Sequence, residues 1–398
     1  MANRGIVTWV EFVGTPYVAP PEGFLSPSGD VSDGSWTTQA GGTALAAVLD
    51  ETVRDDSDYV QSNSAVLNDV FEVHLSDPGS TFTNGVLQIA IGKKTNNADV
   101  VDFAVELRQG TTVIASWVYA DVPYGTVTKS ESLTPAQFAA ITDFTDLRVR
   151  VTAGRFWTPA QLISGGKLAR WYSVPDAAVV DGSGNVQTLT DLSGNGVDAT
   201  QATAGSRPAY EAASPHNGKP GIICSTGLAK SLSMTAVSYN GTNGLSWSFV
   251  ASQTAVGTGT SNCLVGGGTG GLEVRLNYTS PGWDVIRQAQ LRLILMTAPA
   301  VNTLSVLGCD LATNSTIGWV DGTSSSNSTN PGLSNGGDAL LSAGGTEFLN
   351  GRFQEAVAST LKWTTAERQK VDGYLAWKYR TTLDASHPYK NRPPFVGD

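Results

Sequence analysis

The sequence predicts an all-β protein made of two β-sandwich domains. Short segments alternate apolar and polar residues, turn-forming residues separate them, and charged residues are scarce. The 44 glycines suit tight turns, because glycine reaches positive φ without steric cost. Charged residues are 15% of the chain, well under the roughly 25% usual for soluble domains. Ser, Thr, Asn and Gly must therefore provide much of the polar surface.

The N-terminal segment GIVTWVEFV is rich in β-branched and aromatic residues, which predicts a strand. The prolines of YVAPPEG then bar a continuing strand, so residues 1–23 are predicted to form a strand or arm and a Pro-rich linker. A lone strand has unpaired backbone groups and must pair with something. It pairs either with its own domain or with a neighbouring subunit by strand addition, and the sequence leaves both open.

Residues 24–153 are predicted to form a jelly-roll-like β-sandwich, because several short segments such as VFEVHL alternate apolar and polar residues. One short helix interrupts them at TPAQFAAIT. Thr134 caps it, Pro135 takes the first helical position and Gln137 completes a capping box. Residues 154–167 are predicted to be a linker.

Residues 168–398 are predicted to form the second sandwich, with a C-terminal helix and an extended tail. Tight turns flank NVQTLTDL, which alternates as a strand does. In TTAERQKVDGYLAWKYR, Thr364 and Glu367 predict a capping box. Gly373 costs this helix about 1 kcal/mol relative to Ala, which predicts close packing at that position.

The motifs DLSGNG, NGKP, GRFQE, GYLAWK and HPYK occur in order between residues 168 and 394. With them, the second half of the chain resembles concanavalin A-like, or laminin-G-like, domains of tailed-phage virion proteins and bacterial surface proteins. The resemblance implies a sandwich that binds partners or glycans at its rim. RGIVTWVEF is faintly similar to the N-termini of tailed-phage structural proteins.

We therefore expect a structural virion protein of a tailed phage, as a capsid decoration or a tail or fibre protein with an adhesive, glycan-binding role in host attachment. Its expected partners are major capsid or tail proteins, further copies of itself, often as trimers, and host surface glycans. MANRGIVTWVEFVG lacks the features of a signal peptide, so synthesis in the bacterial cytoplasm and release by lysis are expected. Alternatives are a glycan-degrading tail enzyme, a bacterial surface adhesin and a structural cement without a ligand.

Composition argues against several other classes of protein. The net charge is −10 and no Lys/Arg cluster occurs, which argues against a nucleic-acid partner. No apolar stretch of about 18 residues predicts a membrane span. Cys224, Cys263 and Cys309 lie far apart, and without zinc-ligand spacing we expect buried, reduced thiols.

No catalytic motif has its required context, so the chain is not expected to be an enzyme. GGGTGG, residues 266–271, is followed by a strand pattern instead of the helix of a dinucleotide site. GLSNG, residues 332–336, lies in a polar loop, whereas a nucleophile elbow joins a strand to a helix.

DLSGNG imitates the start of a calcium loop, with Asp191, Asn195 and Asp198 as candidate Ca²⁺ ligands. The twelfth position should be a bidentate Glu and is Ala202. Asx-turns, in which the side chains bond their own backbone, are the stronger interpretation, and no cofactor is expected.

Trp283 is the main candidate for contact with a glycan, because it follows Pro281 and Gly282 in a predicted turn, with Tyr278 and Asp284 beside it. Carboxylate pairs for glycoside cleavage are set by spatial separation and cannot be recognised from spacing. Four scattered carboxylates are expected to be mostly solvated: Glu273, Asp284, Asp310 and Asp321.

Overall fold

The computed structural model describes residues 5–14, 23–50, 55–63, 65–77, 82–97, 99–225, 229–254, 262–267, 271–276, 283–287, 291–328, 336–343 and 347–398. Within them, only the backbone is described at residues 9, 11–14, 23, 24, 283–287, 291–295 and 343. The chain divides into two compact units. The first is Met1–Trp157 with Asn391–Asp398, and the second is Thr158–Lys390.

The first unit is a β-sandwich with one short helix, α1 (Pro135–Ala139). One sheet has the strand order β10-β7-β1-β5-β4, with β2 also paired to β1, and the other has the order β3-β6-β11-β8-β9. In chain order, strands β1 to β11 are Gly5–Gly14, Gly23–Leu25, Pro27–Ser32, Thr37–Thr38, Val60–Gln61, Asn68–Leu75, Val86–Lys93, Asp102–Gln109, Thr112–Tyr119, Gly125–Ser132 and Leu147–Gly154.

The N-terminal strand β1 pairs within its own unit. It runs antiparallel to β7, with Val10 opposite Ile89, and also pairs with β5. Strand β1 thus lies between β7 and β5 in its own sheet, which is the first of the two pairings that the sequence left open. The residues of the predicted Pro-rich linker, 15–22, lie outside the described residues.

The core of the first unit lies between its two sheets. Phe71 and Phe103 are fully buried there, and Trp36 packs edge-on against Phe71 with ring centroids 4.8 Å apart. The capping box of α1 is confirmed, since the backbone N–H of Thr134 donates to Gln137 Oε1 at 2.9 Å.

The second unit is a larger sandwich with helices α2 (Val174–Ala177) and α3 (Thr365–Tyr379). Its sheets have the orders β16-β17-β30-β19-β24-β25-β26, with β12 on β30, and β13-β14-β15-β18-β27-β20-β21-β22-β23, while β28 pairs with β29. In chain order, strands β12 to β30 are Arg170–Ser173, Ala178–Val180, Val186–Leu189, Ala199–Thr200, Ala209–Glu211, Gly221–Cys224, Leu232–Ser233, Leu245–Gln253, Asn262–Gly266, Leu272–Leu276, Trp283–Arg287, Leu291–Met296, Ser305–Ala312, Ser315–Val320, Thr323–Asn327, Ala339–Leu340, Ser342–Ala343, Glu347–Phe348 and Gly351–Ser359.

These two sandwiches confirm the predicted all-β class. In the second unit, Trp247 and Phe249 of β19 stack with ring centroids 5.3 Å apart inside the core. The three cysteines, Cys224, Cys263 and Cys309, are buried and free. Across the described residues, no helix is long and apolar enough to span a membrane.

Helix α3 covers part of the sheet of the second unit that contains β30, β19 and β24. It packs against β19 and β24, where Val250 and Val306 are fully buried without belonging to the inner core. Val371 and Leu375 of α3 are also fully buried. The sheet that contains β19 and β24 is therefore buried on both faces where the helix lies.

The last residues of the chain belong to the first unit. Phe395 is fully buried and packs edge-on against Phe156 with ring centroids 5.0 Å apart, and Trp157 donates its backbone N–H to the carbonyl of Pro394. The predicted second sandwich, residues 168–398, included this tail. The tail lies in the first unit because burial there removes the apolar ring of Phe395 from water.

We predict that Gly373→Ala destabilises the second unit although alanine favours helix. A Cβ at Gly373 would lie 2.7 Å from the Cβ of Tyr389, and Tyr389 is itself buried. Overpacking of this kind costs about 1–3 kcal/mol, which exceeds the gain of about 1 kcal/mol in helix propensity. Urea unfolding measures the difference.

Gly205→Ala is the matched control, because nothing lies within 4 Å of its added Cβ. A Gly373→Ala variant as stable as the wild type would show that the contact with Tyr389 is not a tight one.

Candidate functional site

Helix α3 has a defined start and a sharp end. Thr364 Oγ1 accepts the N–H of Glu367 and the Glu367 carboxylate accepts the N–H of Thr364 at 2.8 Å, which confirms the predicted capping box. At the other end, Arg380 takes a left-handed φ of 57° and donates its N–H to the carbonyl of Ala376. Non-glycine residues seldom adopt this conformation, so the turn is a specific feature of the fold.

A fully buried carboxylate joins α3 to the sheet beneath it. Glu355 of β30 has no exposed side-chain surface and accepts hydrogen bonds from Trp171 Nε1 at 2.7 Å, Lys378 Nζ at 2.6 Å and Tyr379 OH at 2.6 Å. We call these four residues the Glu355 clamp. A buried charge needs such partners, because leaving it unpaired costs about 3–5 kcal/mol.

The clamp is extended by Lys378, whose ammonium group also donates to Asp176 Oδ2 at 2.5 Å and to Ser173 Oγ at 3.0 Å. Burial, and then the adjacent Glu355 carboxylate, raise the pKa of Tyr379 well above its ordinary value. The phenol therefore remains a donor at any physiological pH. Helix α3 is thus bound to β30 by charge-assisted hydrogen bonds.

A second buried polar cluster lies under the first half of α3. Ser246 Oγ donates to Asp310 Oδ1 at 2.5 Å, and Arg368 of the helix lies 3.8 Å from Asp310 Oδ2. Trp319 Nε1 donates to Asp372 Oδ1 at 2.8 Å. Burial raises the pKa of Asp310 to about 6 and that of Asp372 well above its ordinary value. Together with the clamp, these contacts fix the position of the helix.

Two neighbouring cavities open at the C-terminal end of α3, and we call them together the α3 cleft. They share residues 380–382 as a common wall. The first has a volume of about 310 Å³ and is lined by His216, Asn302, Thr303, Leu304, Asp321 and residues 380–382. The second has a volume of about 280 Å³ and is lined by Ala376, Trp377, residues 380–382, Leu383 and Lys390.

The backbone around the cleft has three left-handed residues. Asn302, Asp321 and Arg380 have φ values of 59°, 49° and 57°. Asn and Asp adopt this conformation more readily than most residues, whereas Arg rarely does. Uncommon backbone conformations concentrate at functional sites, which makes the cleft the best candidate in the second unit.

Titratable groups line the first cavity. Asp321 accepts the backbone N–H of Val306 at 2.8 Å, and burial raises its pKa to about 6. Burial is also the main cause that lowers the pKa of His216, whose Nε2 lies 3.4 Å from Ser252 Oγ. The cavity therefore holds an acid whose pKa lies near neutral pH and a histidine that favours its neutral form.

Trp377 lines the second cavity. Its Nε1 donates to the carbonyl of Tyr389 at 2.7 Å, which holds the indole in one orientation. Thr381, in the shared wall, has a buried hydroxyl with no hydrogen-bond partner among the described residues.

The predicted glycan contacts lie elsewhere in the second unit. Tyr278 lies outside the described residues, and the side chains of Trp283 and Asp284 are not described. The backbone places Trp283 at the start of β22, opposite Leu276 and Met296. Their role as ligand contacts remains a prediction.

The DLSGNG turn is closed by its own hydrogen bonds. Asp191 Oδ1 accepts the N–H of Ser193 at 2.9 Å, as in an Asx-turn, and Asp198 Oδ1 accepts the N–H of Asp191. Asn195 Nδ2 donates to the carbonyls of Leu168 and Ala169. Within the described parts of the chain, no group of three or more His, Cys, Asp or Glu side chains could hold a metal ion.

The expectation that the scattered carboxylates are solvated was wrong for Glu273 and Asp310. Glu273 of β21 is 1% exposed and contacts Arg275, and burial raises its pKa to about 7. Asp310 belongs to the buried cluster under α3. The spacing of residues in the sequence does not show which carboxylates are buried. It also does not show the distant partners that offset the cost of burying a carboxylate.

No local pattern distinguishes the residues that form the cleft. Trp377 lies within the helical pattern of α3, and Arg380 follows as one of several basic residues near the C-terminus. His216 and Asn302 come from loops far away in the sequence. Only the fold brings them together.

No family model and no curated protein sequence matches the chain. Among solved structures, domain 4 of an extracellular arabinanase from Geobacillus stearothermophilus, in complex with arabinotriose, is 15% identical and covers 50% of this chain and 96% of that domain, with a TM-score of 0.34. An α-L-arabinofuranosidase is 14% identical over 54% of this chain and 64% of its own, with a TM-score of 0.39. Trypanosoma rangeli sialidase is 11% identical over 78% of this chain and 51% of its own, with a TM-score of 0.38.

The prediction that the chain is not an enzyme is overturned by these matches. An arabinanase domain, an arabinofuranosidase and a sialidase are glycan-degrading enzymes or parts of them. The prediction relied on linear motifs, which cannot reveal carboxylates that are paired only in space. The similarities are too low to transfer a substrate to this chain.

We predict that Asp321→Asn becomes more stable relative to the wild type as the pH rises from about 4 to 6. In the folded chain the pKa is about 6, above the ordinary 3.8, so the fold favours the neutral acid. As the pH rises, the unfolded chain loses this proton first, so the free energy of unfolding of the wild type falls between about pH 4 and 6. Above that window the difference between the wild type and the variant is constant. The expected change is about 2–3 kcal/mol, measured by urea unfolding at each pH.

Asp181→Asn is the control with the opposite sign, because the hydrogen bond from Arg207 lowers the pKa of Asp181. Asp181 stabilises the fold at neutral pH and loses that contribution as the pH falls through its folded pKa. A flat difference for Asp321→Asn between pH 4 and 6 would mean that Asp321 is already ionised at pH 4.

Proposed function

We propose that the second unit binds a glycan in the α3 cleft. One observation carries the proposal: an oriented indole, Trp377, and a set of hydrogen-bonding groups line two adjoining cavities. Aromatic rings pack against the apolar faces of sugars, while a few placed polar groups bond their hydroxyls. The cleft offers both kinds of contact.

The polar groups of the cleft match a polyhydroxylated ligand. Asn302, Thr303 and Thr382 are exposed along the wall. The two volumes, about 310 Å³ and 280 Å³, lie near the lower end of ordinary ligand sites. A short segment of an oligosaccharide extending across both cavities suits this size.

Glycan cleavage is the second candidate function, and Asp321 is the observation that favours it. A carboxyl group with a pKa of about 6 is protonated often enough near neutral pH to act as a general acid on a leaving sugar oxygen. Cleavage would also need a second carboxylate, or another nucleophile, that comes close to the scissile bond when the substrate is bound. Release of reducing sugars from a bound glycan, lost in Asp321→Asn, distinguishes cleavage from binding alone.

The virion location belongs to the same proposal and is supported by the sequence resemblance. A capsid decoration or a tail or fibre protein is present in many copies, so even a weak glycan site gains avidity. Proteomic analysis of purified phage particles tests this: the chain should be present in multiple copies per particle.

We predict that Trp377→Phe weakens glycan binding at least about fivefold. The smaller ring offers less stacking surface, and the hydrogen bond that orients the indole is lost. The measurement is a glycan array followed by calorimetric titration with the tightest oligosaccharide that the array identifies.

Trp247→Phe is the matched control, because it also removes one indole hydrogen bond, of 3.0 Å to the carbonyl of Gly336, in the same unit but belongs neither to the cleft nor to the Glu355 clamp. Thr382→Val provides a second variant that conserves shape and removes only an exposed hydroxyl of the shared wall. Binding that survives both Trp377→Phe and Thr382→Val unchanged would place the glycan outside the cleft.

A further inference from the structure

Two positive charges in the α3 cleft have no negative partner. Arg380 and Lys390 both line the second cavity. Across the part of the second unit that the structure describes, neither side chain forms an ion pair or a hydrogen bond. Both residues are exposed, so their charges face solvent.

Six other cations of the same unit are paired with carboxylates. The pairs are Lys167 with Glu367, Arg207 with Asp181, Arg275 with Glu273, Arg352 with Glu211, Arg368 with Asp310, and Lys378 with Glu355. The whole chain carries a net charge of −10. Arg380 and Lys390 therefore give the second cavity two unpaired positive charges in a chain whose net charge is negative.

The second cavity contains no carboxylate to balance them. Its lining consists of Ala376, Trp377, residues 380–382, Leu383 and Lys390. The carboxylate of Asp321 lines the other cavity, where it accepts the N–H of Val306. A ligand beside Trp377 thus meets two cations, an aromatic ring and threonine hydroxyls.

We infer that the cleft selects an acidic saccharide, one whose sugar ring bears a carboxylate. The ring packs on Trp377 while the carboxylate lies between Arg380 and Lys390. A guanidinium group binds a carboxylate through two parallel hydrogen bonds, and an ammonium group adds a point charge. This inference rests on the proposed glycan-binding function and adds the class of ligand.

Matched pairs of oligosaccharides test the inference on the full chain. An oligogalacturonate, a glucuronate-containing oligosaccharide and sialyllactose are each compared with their methyl esters, which keep the shape and remove the charge. At least one acid should bind about tenfold more tightly than its ester at low salt, and the preference should shrink as salt is added. Arg380→Gln and Lys390→Gln should bring the ratio of acid affinity to ester affinity close to one.

Lys370→Gln is the control for net charge, because Lys370 lies on α3 and lines neither cavity. Equal binding of acids and esters, or an unchanged preference in Arg380→Gln, would overturn the inference and leave glycan binding intact. Tighter binding of a sulfated oligosaccharide than of every carboxylate would overturn the carboxylate assignment. Failure of all array glycans to bind would instead reject the proposed function itself.

Discussion

The arrangement of the second unit depends on keeping the Glu355 carboxylate buried. Trp171, Lys378 and Tyr379 donate to it from a strand and from the end of α3, and no side-chain surface of Glu355 remains exposed. A buried ion pair contributes little net stability compared with an apolar pair, but breaking it is costly. The clamp therefore specifies where α3 lies more than it stabilises the fold as a whole.

The position of the cleft follows from that of the helix. Lys378 and Tyr379 are the last residues before the left-handed turn at Arg380, so the clamp fixes the point at which the chain leaves the helix. Residues 380–382 then form the wall shared by both cavities. Because the clamp lies within one helical turn of residues 380–382, it holds this wall of the cleft in a fixed position.

Features that depend on neighbouring residues were predictable. The capping boxes at Thr134 and Thr364 each join residues three apart, and the alternating segments showed the all-β class. Glu355 was not predictable as a buried group, because Trp171 lies 184 residues away from it in sequence. Trp377 was missed for a related reason: its helical context indicates packing, and its contact with the cleft depends on distant loops.

Hydrogen exchange of the wild type and of Glu355→Gln, followed by mass spectrometry, tests the role of the clamp most directly. The amide side chain presents donors to Lys378 and removes the negative charge, so α3 and residues 380–382 should lose protection together. Strands β19 and β24 should keep theirs, because they are held by the inner core. An α3 as protected in the variant as in the wild type would contradict the claim that Glu355 fixes the helix and, through it, the cleft.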